Sequence, residues 1–566
     1  MTAAKTQKNT EYQEQAARPI SPKYQDLVIG LVYYAGAMGD TFCADLQTKI
    51  GECGYETPAL IKVSSIIEQE NPSKVPKIGD VPKAHGKEKL ERATVLQNLG
   101  DDMRGPKEPG GEPNASILAS LAIDKLRELR GGPPDEAKKF LFIIDSLKHR
   151  AEVELLRMVY GHNFRLIAIH CSRDNRFKRL KSGKFHGADQ EKIKNFMRRD
   201  EEDKSTKHGQ EVRKVFHRAD FFIDNNHSQG NVKYEPDLKR FVDLCVGGKM
   251  LRPTVEETGM YHAQASAMRS SCLSRQVGAA ILMPDGRILA IGANEVPKRG
   301  GGVYGDGDVP DCRCFKWADW CIDKDDPRWT DYYKTSPVGK PNCHSSRLKH
   351  ELKEKVSCWL RKKIVSPLSE HVAKATSGQA GLFDAKLQQE IEAAIQLFFD
   401  DKDFFNNMPV VEDVIEYSRS IHAEMDALMS ALRSGTPTTK AVLYTTTYPC
   451  HNCARHIVAA GISKVYYLEP FVKSLAEELH HDSLVHDPAG GDRDTRVGIL
   501  PFTGVGPRLY AELFVKEGEW KATTGEFTPP PVLGLRRAIQ LDSLDEVERR
   551  AAALAHANQD QEPKNQ

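Results

Sequence analysis

Four short apolar runs mark the first 230 residues. They are Leu27-Val28-Ile29-Gly30-Leu31-Val32, Phe140-Leu141-Phe142-Ile143-Ile144, Leu166-Ile167-Ala168-Ile169 and Phe221-Phe222-Ile223. Each has the length and unbroken hydrophobicity of a buried strand. Helical stretches separate them, so the pattern predicts an α/β domain whose parallel sheet carries helices on both faces. The first run leads into Gly36, Gly39, Asp40 and Thr41 and then a helix through Ile50, and Asp145 closes the second run. Residues 70 to 115 are rich in Lys, Glu, Gly and Pro and read as an exposed excursion.

From about Thr254 the pattern changes. Gly278–Leu282, the turn Pro284-Asp285-Gly286-Arg287 and Ile288–Ile291 predict a β-hairpin. Ile421 to Arg433 has helical spacing, with Ile421, Met425, Leu428, Met429 and Leu432 as its apolar positions. Ala441–Thr446 reads as a strand that Pro449 stops, and Cys450 to Gly461 as a helix with glycine near its end. A strand at Lys464–Leu468 and a helix through Leu475–His480 follow. The organisation this predicts is a disordered segment over 1–22, a first domain over 23–230 and a second over 250–520 with a long insert at about 296–415. Residues 521–566 form a helical stretch and a polar tail.

Composition narrows the classes. Lys plus Arg number 80 and Asp plus Glu 79, so no global basic field argues for bulk nucleic-acid binding. Met1 to Ala17 is polar, and no stretch approaches the roughly 20 apolar residues of a membrane span. Twelve cysteines in so long a chain are no disulfide framework, which points to a cytoplasmic protein without a membrane partner.

The candidate chemistry lies in two short segments, His422-Ala423-Glu424 and Pro449-Cys450-His451-Asn452-Cys453. They supply an imidazole, two thiols and a carboxylate. A zinc ion with three protein ligands keeps its fourth position open, as catalytic zinc sites do. Glu424 is too close in sequence to His422 to be a comfortable second ligand and is better placed to carry protons. Both ligand sets fall at predicted helix N-termini, where the helix dipole favours thiolate over thiol.

This H-x-E…P-C-x-x-C pattern is the signature of zinc nucleobase deaminases. Residues of about 254 to 515 resemble, more narrowly, the deoxycytidylate deaminase family of the cytidine-deaminase fold. The matching pieces are Arg275-Gln276-Val277-Gly278-Ala279, Gly292-Ala293-Asn294, Ser420 through Ala427, Thr446 through Cys453 and Gly461 through Tyr467. The resemblance implies an α/β/α sandwich, a Zn2+ ion held by His422, Cys450 and Cys453, and Glu424 as the catalytic acid and base. It implies that Asn294 contacts sugar and base, with Ala423, Arg275 and Lys298 as further substrate-binding residues. Arg299 and Arg419 are additional phosphate candidates by charge and position. Gly-Ala-Asn-Glu stands here where the family often has Gly-Tyr-Asn-Gly. The insert holds Cys312, Cys314, Cys321, Cys343, His344 and Cys358, a donor set that could form a second, structural zinc site.

Residues of about 24 to 228 resemble a P-loop nucleoside or nucleotide kinase-like domain. Gly30, Gly36, Gly39, Asp40 and Thr41 take the place of the phosphate loop and Asp145 that of a magnesium-binding Asp. A working loop reads G-x4-G-K-[ST], and this one lacks the lysine. The departure argues for nucleotide sensing or scaffolding over phosphoryl transfer. The fusion resembles a bacterial anti-phage group whose members deaminate dCTP or dCMP. It implies deoxycytidine nucleotides as substrates, a regulatory nucleotide at the N-terminal domain, an inhibitory RNA or protein, and a homo-oligomer. Three other readings stand beside it: a polynucleotide cytidine deaminase, a housekeeping dCMP deaminase supplying dUMP, and a non-catalytic zinc protein. The insert aromatics Trp317, Trp320, Trp329, Tyr332 and Tyr333 would suit the polynucleotide reading, but their neighbours are largely acidic.

Overall fold

The structure is a computed structural model. It describes essentially residues 26–314, 343–363, 417–526 and 544–556, apart from short interruptions of which 78–85 and 487–494 are the longest. The predicted disordered segment 1–22, the insert aromatics and Cys321 lie outside the described residues. The fold is mixed α/β and is divided into two compact units, residues 1–261 with 501–566 and residues 262–500.

In the first unit the apolar runs become β1 (Leu27–Tyr33), β3 (Leu141–Asp145), β4 (Phe164–His170) and β5 (Phe221–Asp224). The two-residue strand β2 (Ile61–Lys62) joins them. With a short strand β12 (Gly504–Val505), the spatial order is β12-β5-β4-β1-β3-β2, and the pairings β2–β3, β3–β1, β1–β4 and β4–β5 are all parallel. The sheet therefore grows to one side of β1 with β2 and β3 and to the other with β4 and β5. Helix α1 (Gly39–Gly51) follows β1, and α2 (Ile117–Arg130) and α3 (Arg150–Tyr160) flank β3.

Gly30 does not belong to the loop between β1 and α1. It sits inside β1, paired with Ile144 and Leu166. A Cβ there would lie 2.6 Å from Leu147 Cδ1 and 2.9 Å from Phe164 Cζ, so packing accounts for this glycine. Residues 70–115 also depart from the expected excursion, because Gly86–Arg104 is a helix. Its buried positions include Gln97, Gly100, Asp101 and Arg104, which carry no apolar period. Arg104 is buried through ion pairs to Asp101 (3.2 Å) and Glu152 (2.8 Å), so polar pairing replaces hydrophobic burial there.

The C-terminal stretch returns to this unit rather than extending the second. The short strand β12 (Gly504–Val505) pairs antiparallel with β5, and the helix Leu544–His556 packs on α2 and α3. The expected boundary at 520 thus moves to about 500, because Val505, Leu509 and Leu513 bury into the core around β1 and β5.

The second unit is a sheet of order β10-β11-β9-β8-β6-β7. Its strands are β6 (Gly278–Leu282), β7 (Ile288–Ala293), β8 (Val442–Thr447), β9 (Lys464–Glu469), β10 (Leu484–His486) and β11 (Val497–Pro501). The predicted hairpin β6–β7 is antiparallel, β8 joins β6 antiparallel, and β8 and β9 run parallel. Helix α4 (His344–Leu360) lies in the stretch expected to be irregular. Helices α5 (Ala423–Arg433) and α6 (His451–Ala459) follow the two chemical segments. The buried face of α5 is not the expected one. Ala423, Glu424, Ala427, Leu428 and Ala431 face inward, whereas Leu432 is 70% exposed. Small residues let the helix lie close on the β6–β7 hairpin.

Gly292 sets that approach. A Cβ at this position would come within 2.2 Å of the Ala423 carbonyl oxygen and 2.3 Å of the Ala427 nitrogen, both backbone atoms that cannot rotate away. Gly292→Ala is therefore expected to destabilise the protein by about 1–3 kcal/mol or more and to lower its zinc content by pushing α5 outward. Thermal denaturation with metal analysis checks this; an unchanged melting temperature would refute the packing account. Among the described residues no helix is long and apolar enough to cross a membrane.

Candidate active site

Two helix N-termini build the site. His422 is the N-cap of α5, and Cys450 is the N-cap of α6, directly after β8 and Pro449. Cys453 lies in the first turn of α6, so both thiols and the imidazole sit at positive helix ends. His422 Nδ1 is 3.2 Å from Cys450 Sγ and 3.3 Å from Cys453 Sγ. Ligand atoms of His422, Cys450 and Cys453 all lie within 4.8 Å of one another, and among the described residues no other group of three does so. One imidazole and two thiols are donors that zinc prefers, and three of them leave a coordination position free. The donor set therefore fits the ion.

The three donors shift one another's protonation. The Cys450 thiol is drawn down to about 4 by hydrogen bonding from Cys453, with His422 acting in the same direction against burial. His422 is raised to about 9, first by its hydrogen bond to Cys450. Cys453 is pushed upward by its bond to Cys450 and by burial. Cys453→Ser is expected to abolish stoichiometric zinc binding and with it any turnover, as elemental analysis would show; retention of full zinc would remove Cys453 from the ligand set.

Glu424 is buried behind the ligands. Its Oε2 accepts from Cys453 Sγ at 3.4 Å and its Oε1 from Thr445 Oγ1 at 3.5 Å. Burial raises its pKa, and the neighbouring Cys450 adds to the shift, so the carboxyl can hold a proton. His422, Glu424 and Cys450 border a cavity of about 280 Å³ that Ala423, Asn294 and Arg275 also line.

The other expected residues divide. Asn294 uses Oδ1 to accept from the Val277 nitrogen (2.6 Å) and Nδ2 to donate to the Arg275 carbonyl (2.8 Å). An amide has two donors and two acceptor positions, so one of each remains for the cavity. Arg275 is ion-paired with Glu469. Lys298 does not line the cavity; it is paired with Asp308 at 2.8 Å. Arg419 does line it and donates to the Cys312 carbonyl at 2.8 Å. Glu295, which with Ala293 departs from the family pattern around Asn294, is 1% exposed. It accepts from the backbone nitrogens of Ser271 and Val296, which ties two loops together at the cavity rim. Cys272, Cys314 and Cys343 also border the cavity without converging as a second metal group.

Sequence reasoning missed Tyr448 and Lys349. Tyr448 lines the cavity, stacks on His486 (ring centroids 5.8 Å apart) and lies 3.0 Å from His486 Nε2 through its hydroxyl. Its place immediately before Pro449-Cys450 was the available signal. Lys349 comes from α4, and no motif marks it.

In the N-terminal unit a second cavity, about 500 Å³, lies at the carboxyl ends of β1 and β3. Gly36, Asp145, Lys148 and Lys62 border it. Gly36 has φ +88°, and a Cβ there would meet the Arg176 carbonyl at 2.8 Å. Gly39 opens α1, and the side chains of Asp40 and Thr41 lie outside the described residues.

Comparison with known proteins adds the following. Residues 377–469 match the family described as the cytidine and deoxycytidylate deaminase zinc-binding region. The chain is 42% identical over 66 residues to ComE operon protein 2 of Bacillus subtilis (strain 168), covering 11% of this chain and 35% of that protein. It is 41% identical over 54 residues to the deoxycytidylate deaminase of Enterobacteria phage T2, covering 10% of this chain and 29% of the phage protein. The chain thus spans about a third of the length of the curated relatives it matches. The crystal structure of dCMP deaminase from the cyanophage S-TIM5 in complex with dCMP and dUMP aligns with 44% of this chain and 99% of its own, at 16% identity and a TM-score of 0.21. The stretch of the C-terminal unit that matches the zinc-binding region of the cytidine and deoxycytidylate deaminases contains His422, Cys450 and Cys453.

Proposed function

We propose that the protein hydrolyses the exocyclic amine of deoxycytidine nucleotides, dCMP or dCTP, to give deoxyuridine nucleotides and ammonia. The observation that carries this reading is Glu424, a buried carboxyl that borders the cavity directly beside the His422–Cys450–Cys453 cluster. A structural metal site has no use for such a group. Zinc held by those three residues would act as a Lewis acid that makes water acidic near neutral pH. Glu424 takes one proton from the attacking water and delivers it to the ring nitrogen, then takes the proton left on the added hydroxyl and gives it to the departing amine as the carbonyl forms. Asn294, with its remaining donor and acceptor, orients the sugar or base edge, and Tyr448 supplies an aromatic wall.

The N-terminal unit supports a regulatory reading. Ligands of open α/β sheets bind beyond the carboxyl ends of strands, beside the strand where the order reverses. The 500 Å³ cavity occupies that place, with Lys62 and Lys148 as cations. A nucleotide bound there would set the activity of the deaminase, and an inhibitory RNA or protein partner would hold the enzyme off. The role that follows is depletion of the deoxycytidine nucleotide pool in defence against phage.

The test is ammonia release by zinc-loaded protein offered dCMP, dCTP, CMP, CTP and a cytosine-containing DNA oligomer in parallel. Turnover of dCMP or dCTP is expected. Turnover of the oligomer alone would move the function to polynucleotide editing, and no turnover of any substrate would contradict the reading.

A further inference from the structure

The cavity beside Glu424 is lined by cations as well as by the candidate catalytic groups. Its lining includes three cations, Arg275, Lys349 and Arg419, and Glu424 is its sole carboxylate among the described residues. Ser274 and Ser345 line the same cavity. Arg275 is paired with Glu469 and Arg419 donates to the Cys312 carbonyl, contacts that position both guanidinium groups at the cavity. Lys349 reaches the cavity from α4, in the long stretch between β7 and α5. The residue before α4 anchors that helix: Cys343 Sγ lies 3.5 Å from Ser274 Oγ, next to Arg275. A helix of the insert thereby borders the cavity and contributes a charge to it.

We propose that α4 is a specificity element, and that Lys349, with Arg419 and Arg275, binds the 5′-phosphate of the substrate so that the site selects nucleotides over nucleosides. The inference rests on the deaminase reading of the same cavity. The chemistry is direct. Ammonium and guanidinium groups form charge-assisted bonds to phosphate oxygens that are about twice as strong as neutral ones. A nucleoside offers these groups nothing, so their contribution appears only with a phosphorylated substrate. Because Lys349 touches neither Glu424 nor the zinc ligands in this role, its effect belongs to KM more than to kcat.

The experiment compares kcat/KM for dCMP and for deoxycytidine in the full-length zinc-loaded protein, wild type against Lys349→Met. The ratio of the two values is expected to fall about 10- to 100-fold, the worth of one charged hydrogen bond. The fall should come mainly through KM for dCMP. Lys349→Arg, which keeps the charge, should restore most of the ratio, and Lys355→Met, an exposed lysine on the same helix, should leave it unchanged. An unchanged ratio in Lys349→Met overturns the proposal, as does an equal loss on both substrates, which would mark a structural role. A wild type inert to every cytosine substrate would defeat the deaminase reading instead. The phosphate proposal would then be read from calorimetric binding of dCMP and deoxycytidine to the same variants, with the same expected ratio and the same refuting outcome.

Discussion

Glu424→Gln is expected to reduce deamination by about a hundred- to ten-thousand-fold while leaving zinc bound. The amide has the shape of the carboxyl and can still accept from Thr445, so the fold around it should persist. What it cannot do is take a proton from water and return it to the pyrimidine. Glu424 lies beside all three proposed ligands without being needed among them, so the metal count should match the wild type. Single-turnover conversion of dCMP, with elemental analysis of both proteins, checks the pair of outcomes. A variant retaining more than about a tenth of wild-type activity would show that another group carries the proton.

Glu548→Ala is expected to destabilise the N-terminal unit by about 3–5 kcal/mol. Glu548 makes two parallel bonds to Arg130, at 2.7 and 2.8 Å, and both side chains are within 1% of full burial. Asp26 takes the third guanidinium contact at 2.8 Å. Removing Glu548 leaves Arg130 buried with a single carboxylate, and burying an undercompensated charge is far costlier than never having the pair. The double variant Arg130→Met with Glu548→Leu should accordingly recover much of the loss. Urea denaturation of the full chain resolves these changes. A loss below about 1 kcal/mol for Glu548→Ala, the value of an exposed pair, would mean that the helix Leu544–His556 is not held as described.

That ion cluster shows where sequence reasoning stops. Asp26, Arg130 and Glu548 lie far apart along the chain, and each alone reads as a surface charge. The helix Gly86–Arg104 escaped for a related reason, since Arg104 is buried through carboxylates rather than through an apolar face. By contrast, the strands β1, β3, β4 and β5 were legible because a strand covered on both faces must be apolar throughout. The hairpin β6–β7 was legible from its turn, Asp285-Gly286, with Gly286 at φ +89°.

The site divides along the same line. His422, Cys450 and Cys453 could be read because each thiol and imidazole is a rare donor at a spacing that one helix turn explains. Ala423 and Glu424 came with them. The orientation of α5 could not be read, because its buried face is made of alanines and Glu424 while Leu432 points to solvent. Lys298 looked equivalent to Arg275 by charge and position, and only its pairing with Asp308 removes it from the cavity. Lys349 carries no local pattern; its place depends on how the insert folds back.

The central claim is that water and Glu424 displace ammonia from a deoxycytidine nucleotide in the cavity beside His422, Cys450 and Cys453. The most direct measurement is turnover of dCMP and dCTP in heavy-oxygen water, followed by mass analysis of the nucleotide product. The account predicts a deoxyuridine nucleotide carrying one solvent oxygen on its ring for each ammonia released. Ammonia release without that label, or a cytosine ring left unchanged by the zinc-loaded protein, would contradict it.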